Sequence, residues 1–199
     1  VTNGSFAAPV SVEVNEQIAT IYLYSANNGY AAYTFTVNQV TISDDTDNTT
    51  ALVDYEGKTV TAVVTRNFTA NNYMTLTLPF DMNATQINQV FGSGAKVYEL
   101  AKVVEGATEI HLQFRPTSVI EAGKPYILDI DADVNGFIID NVVIDTELRP
   151  VNPEGGAITM VPVLDYDGSE LNQATQYWLA SDNYLYSAGT YPTDLLGLR

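Results

Sequence analysis

Polar and apolar residues alternate with a period of two along most of this chain. In Thr59-Val60-Thr61-Ala62-Val63-Val64-Thr65 the alternation opens cleanly, as a strand with one wet face and one buried face requires. The same period, carried by Val, Ile, Thr, Tyr and Phe, predicts strands at 20–24, 33–42, 59–65, 74–78, 110–115, 125–130, 137–144, 157–163, 177–180 and 184–187. Helical spacing is confined to one clear segment. Ile87, Val90 and Phe91 recur at i, i+3 and i+4, behind the capping residue Asn83 and ahead of Gly92 and Gly94, which predicts a short helix over 84–91. A second helical turn is expected at 50–55, ended by Gly57. Turn residues cluster at 27–29, 44–48, 71–72, 92–94, 135–136 and 150–156, and Ser181-Asp182-Asn183 reads as the tip of a hairpin. The expected fold is all-β: an antiparallel β-sandwich, jelly-roll-like, with one short helix near 84–91. No fixed-period repeat or low-complexity linker divides it, so 1–199 reads as one unit, with 43–48 as the place for any boundary.

Charge removes several functions. Asp and Glu number 24 against 8 Lys and Arg, a formal charge of -16, and the basic residues are scattered singly. Such a surface repels a phosphate backbone, so nucleic acid and anionic membranes are not expected partners. Without cysteine there is no disulfide, thiolate nucleophile or Cys-based metal site. No apolar run approaches the roughly 20 residues that span a bilayer. The chain opens at Val1, as expected of a mature or trimmed polypeptide.

Candidate chemistry is sparse. Asp131-Ala132-Asp133-Val134-Asn135-Gly136 reproduces the first half of a calcium loop, with oxygens at alternate positions and a turn glycine, which nominates Asp131, Asp133 and Asn135 as ligands. Its twelfth position is Val142 rather than a bidentate Glu, and its flanks read as strands, so the competing reading is a hairpin turn at Asn135-Gly136. No cofactor is expected, and calcium is the one metal this pattern would admit. A second acidic stretch, Asp44 to Asn48 with Glu56, lacks the turn glycine and reads as a solvated loop that caps the following turn. Asp129, Asp131 and Asp133 alternate and would share one face of a strand, the only carboxylate set from which a glycan-degrading hydrolase could be built. His111, the single histidine, falls on the polar side of its strand, and no phosphate-cradling glycine loop is present. The 13 Tyr and one Trp are the remaining lead, because flat rings with a polar rim can stack on sugars. They gather at Tyr22, Tyr24, Tyr30 and Tyr33 and at Tyr177, Trp178, Tyr184, Tyr186 and Tyr191. Tyr177, Trp178, Tyr184 and Tyr186 are the expected ligand-binding set.

From Asp44 onward the chain resembles a β-rich domain of surface and secreted proteins of Bacteroides-type gut bacteria. The resemblance is carried by Thr75-Leu76-Thr77-Leu78-Pro79-Phe80-Asp81, by Gln86 to Phe91 with Val97-Tyr98-Glu99-Leu100, by Glu121-Ala122-Gly123-Lys124-Pro125-Tyr126-Ile127, and by the closing stretch from Tyr177. It implies export and a sandwich-like fold, and it brings no catalytic motif. The expectation is a non-catalytic extracellular or cell-surface module, adhesive, glycan-binding or structural, with a glycan or a surface protein as partner. The glycan-degrading hydrolase is the alternative.

Overall fold

The structure, a computed structural model, describes residues 18–24, 30–36, 38–43, 46–107, 110–156, 158–164, 177–179 and 185–187. In chain order its elements are β1 (Ile18–Tyr24), β2 (Tyr30–Thr36), β3 (Gln39–Ile42), α1 (Asn48–Val53), β4 (Thr59–Phe68), β5 (Met74–Leu76), α2 (Ala84–Phe91), β6 (Lys96–Glu105), β7 (Ile110–Thr117), β8 (Tyr126–Asp129), β9 (Val134–Val143), β10 (Tyr177–Leu179) and β11 (Leu185–Ser187). Two compact units result, Val1–Gln39 and Val40–Arg199. The division falls before the acidic stretch at 43–48, because β3 joins β4 in a sheet of the second unit. What reads in sequence as one strand over 33–42 is therefore two, each serving a different unit. In the first unit β1 and β2 pair antiparallel over seven residues, from Ile18↔Thr36 to Tyr24↔Tyr30.

The second unit packs a three-stranded sheet, β3-β4-β9, against a four-stranded one, β5-β8-β6-β7, giving the all-β sandwich that the period-two pattern predicts. The alternation of β4 runs its full length, sending Val60, Ala62, Val64, Arg66 and Phe68 inward. Arg66 takes an inward position by that parity alone and lays its guanidinium over the Phe68 ring at 5.1 Å. The facing sheet contributes Met74, Leu76, Val97, Tyr126 and Leu128 to the same core. β8 is buried on both faces, since Ile127 is covered as well, as befits a strand flanked by β5 and β6.

Two of the segments named above, Thr75 to Asp81 and Glu121 to Ile127, form a single latch. Gly123 N–H donates to the Leu78 carbonyl at 2.8 Å, Ala122 N–H to the Asp81 carboxylate at 2.8 Å, and Met82 and Ile120 exchange backbone bonds at 2.8 and 2.9 Å. Between these bonds Leu78, Phe80 and Met82 enter the core. Arg149 binds the other side of the latch, donating to the Ala122 carbonyl at 2.7 Å and pairing with Asp145 and Glu147 at 2.7 Å each. Pro125, which has no N–H, stands just outside the first paired residue of β8, where no ladder bond is lost. Both segments thus have a structural cause.

Three sequence readings are corrected. Residues 96–105, not read as a strand, form β6. Val97 enters the sandwich core, while Leu100, of opposite parity, and Val103 are buried outside that cluster, and a bulge between Leu100 and Lys102 accounts for the three-residue step between the last two. The strand expected at 157–163 is reduced to one bridge, Val151↔Met160, while Glu154 bridges to Lys102 and bonds β6 through Val103 N–H at 2.8 Å. The turn expected at Asn135-Gly136 is interior to β9. Gly136 sits at a second bulge, with φ +70° and a Cβ position 2.7 Å from the Val64 carbonyl oxygen, so it serves a close backbone approach instead of a hairpin tip.

Both helices begin as their caps dictate. Asn83 accepts from Thr85 and Gln86 amides while Gln86 Oε1 accepts from Asn83 N–H, a complete capping box, and α2 occupies the expected 84–91. The second helical turn lies at 48–53 rather than 50–55, started by Asp47, whose carboxylate accepts from the hydroxyls and amides of Thr49 and Thr50. Asn48 closes the acidic loop behind it, bonding Ser43 N–H at 2.9 Å and the Ser43 carbonyl at 2.7 Å. The Thr49 and Thr50 hydroxyls hold the Asp47 carboxyl at about 2, below its ordinary 3.8. A depressed folded-state pKa gives stability that is present above the ordinary value and is lost as pH falls through the lowered one. Asp47→Asn keeps an acceptor for the cap but does not titrate. It is expected to flatten the pH dependence of stability between about 3.8 and about 2, read from urea denaturation at successive pH values. An unchanged slope would rule out this contribution.

Candidate functional site

The C-terminal aromatic set lies on a short antiparallel ribbon. β10 and β11 pair as Tyr177↔Ser187, Trp178↔Tyr186 and Leu179↔Leu185, so Trp178 and Tyr186 are register partners. Tyr177 is 64% exposed, a large apolar ring left in water. Tyr184 lies outside the described residues.

The acidic segment at 131–135 is a crossing between sheets. β8 belongs to the four-stranded sheet and ends at Asp129, and β9 belongs to the other sheet and starts at Val134. The three carboxylates expected to share a strand face therefore do not lie on one strand, although Asp129 and Asp131 both act on Lys96. Asp129 pairs with Lys96 at 3.1 Å, Asp131 lies so close over Gly94 that a Cβ there would meet its Oδ2 at 1.8 Å, and Asp133 accepts from Ala70 N–H at 2.8 Å. Asn71 N–H donates to the Ile130 carbonyl at 2.9 Å, tying the crossing to the turn before β5. Asn135 is already in β9, opposite Asn67. In the other acidic stretch, Glu56 accepts from the Thr146 amide and hydroxyl, while Asp44 and Asp45 lie outside the described residues. Among the described residues no three His, Cys, Asp or Glu side chains group so as to hold a metal ion. His111 is exposed on β7. No described helix is long and apolar enough to cross a membrane.

Glu99 is the most enclosed carboxylate with basic partners. Burial pushes its carboxyl up, but hydrogen bonds from Lys124 and Arg115 outweigh burial and leave it below its ordinary value. Lys124 reaches Glu99 at 2.8 Å and stands over the Tyr126 ring, whose hydroxyl accepts from Glu121 N–H at 3.0 Å. The cluster fastens β6, β7 and the latch together, a structural task.

A groove that sequence reasoning did not identify runs between α2 and β9. It encloses about 390 Å³ and is lined by Gln86, Gln89 and Val90 from one helix face and by Val134 and residues 136–140 from the strand. Among the described residues β9 pairs only with β4, and no described strand lies on its other edge. Phe137 and Ile139 point toward the core while Ile138 is 66% exposed, and side chains of both parities meet only along a strand's edge. Two bulges bracket this stretch, one at Gly136 and one where Asn141 takes φ +59°. Its floor is held by three phenylalanines. Phe91 stands edge-on to Phe68 and to Phe137, with centroids 5.1 and 5.4 Å away. Asp140 gives one oxygen to the Thr61 hydroxyl at 2.7 Å. The available signals were the glycine inside a strand pattern and the i, i+3, i+4 spacing of Gln86, Gln89 and Val90.

Compared with protein-family models, with curated proteins and with solved structures, the chain matches none.

Proposed function

We propose that this chain is a non-catalytic module of an exported or cell-surface protein, and that it binds glycan through its C-terminal ribbon. One observation carries the reading: Tyr177 stands 64% exposed on the ribbon in which Trp178 and Tyr186 are register partners. Aromatic rings on a narrow ribbon offer flat apolar surface with polar rims, the chemistry that suits the CH faces and hydroxyls of a sugar. The acidic surface and the resemblance to a domain of Bacteroides-type surface proteins support an extracellular setting. Asp129, Asp131 and Asp133 do not lie on one strand, which removes the arrangement on which the hydrolase alternative rests.

A glycan array probed with the labelled chain, with and without calcium, tests the reading. Saturable binding to a glycan class is expected, reduced at least about tenfold by Tyr177→Ala or Trp178→Ala, the size of loss that removing one aromatic anchor brings. Calcium dependence that Asp131→Asn and Asp133→Asn abolish would assign the ion to Asp131, Asp133 and Asn135. A flat array, or binding that both substitutions leave intact, would refute the ribbon as a sugar site.

A further inference from the structure

We propose that the groove between β9 and α2 takes a short, extended, basic peptide segment of a partner protein, which adds to the edge of β9 as a further strand. In an antiparallel pair every second residue directs both its N–H and its C=O away from its neighbour. Among the described residues β9 is the last strand of its sheet, so those groups face the groove side and match an extended polypeptide. The regular part of the ladder is short. Phe137, Ile138 and Ile139 pair in register with Val64, Val63 and Ala62, and the bulges at either end terminate it, which limits the added strand to a few residues.

The opposite wall selects the occupant further. Gln89 presents a carboxamide and Gln86, whose Oε1 is held by the capping box, keeps its NH2 donor, so both can bond peptide groups, and Val90 with Val134 offers an apolar seat for alternate side chains. The only ionisable residue lining the groove is Asp140, whose Thr61 bond uses one carboxylate oxygen and leaves the other for a ligand. No Lys or Arg lines it, and the chain carries a formal charge of -16, so a basic segment is favoured and an acidic one is repelled. The enclosed volume lies within the range of ordinary ligand sites, and the site is independent of the aromatic ribbon.

The test uses the whole chain and a spotted array of blocked octapeptides of alternating Val and Thr, with one Lys walked through each position and a sister series carrying Glu. The strongest binder is then titrated into the isotope-labelled protein. Saturable binding is expected for the Lys series, at least about tenfold tighter than for the Glu series. Amide shifts are expected at 136–140, with side-chain amide shifts at Gln86 and Gln89. Asp140→Asn should erase the preference for Lys. Gln89→Trp, which fills the groove from an exposed helix position, should abolish binding with an unchanged denaturation midpoint. Absence of binding by every peptide, shifts confined to other residues, or equal shifts produced by monosaccharides would each overturn the proposal.

Discussion

Gly123→Ala is expected to cost the fold about 3 kcal/mol or more, among the largest effects open to the addition of a single methyl group. Gly123 has φ +68°, and a Cβ built there would lie 1.8 Å from the Glu147 carbonyl oxygen and 2.9 Å from its carbon. Both are backbone atoms, so the clash cannot be relieved by turning a side chain. Residues 122–123 or 147–149 must shift, and with them go the bonds from Gly123 N–H to Leu78 and from Arg149 N–H to Gly123. Gly57 is the matched control, because it has φ +69° and nothing within 4 Å of the same position. Gly57→Ala meets only the left-handed backbone penalty, about 1 kcal/mol. Urea denaturation of both variants separates strain from collision. Equal losses would mean that the latch yields freely and that the 78–82 and 120–125 segments are not interlocked as described.

That latch also shows what sequence made visible and what it hid. Leu78-Pro79-Phe80-Asp81 and Gly123-Lys124-Pro125-Tyr126 were legible as turn chemistry, since glycine and proline mark backbone constraints locally. Their bonding to each other was not legible, because 41 residues separate Asp81 from Ala122 and no periodicity encodes such a contact. Strands stayed readable where pleat and burial kept step, as in β4. They became unreadable where burial on both faces and a bulge broke the period of two, as in β6, whose buried residues Val97, Leu100 and Val103 follow a spacing that belongs to helices. Gly136 was misread for the same reason: a glycine beside an asparagine signals a hairpin tip and a bulge equally well.

The candidate sites divide along the same line. Aromatics on a terminal hairpin announce themselves by residue type, and Tyr177 is exposed as that reading requires. The β9–α2 groove is assembled from ordinary residues, two Gln, two Val, two Ile, a Gly, a Phe and an Asp, which acquire meaning only when a strand edge and a helix face are brought side by side. The acidic pattern at 131–135 failed as a strand motif because the chain changes sheets there, a topological fact that local spacing does not contain.

Phe91→Ala should remove about 3–5 kcal/mol, the usual cost of deleting a fully buried aromatic side chain. Phe91 is 2% exposed and is one of only two fully buried residues with which α2 enters the core, the other being Ile87. Its ring meets Phe68 and Phe137 at interplanar angles of 76° and 75°, edge-to-face arrangements that a leucine cannot reproduce but whose volume it largely fills. Phe91→Leu is therefore expected to cost only about 1–1.5 kcal/mol. The loss should also be uneven along the chain. With one anchor gone, α2 opens ahead of the sandwich, so hydrogen exchange at 87–91 should accelerate far more than at 126–128, which lie on a strand buried on both faces. Because α2 is one wall of the groove, peptide capture should fall with the protection of α2 and not with global stability. Uniform acceleration across both segments, or a cost below about 1 kcal/mol, would mean that the three phenylalanines do not hold the helix to β9.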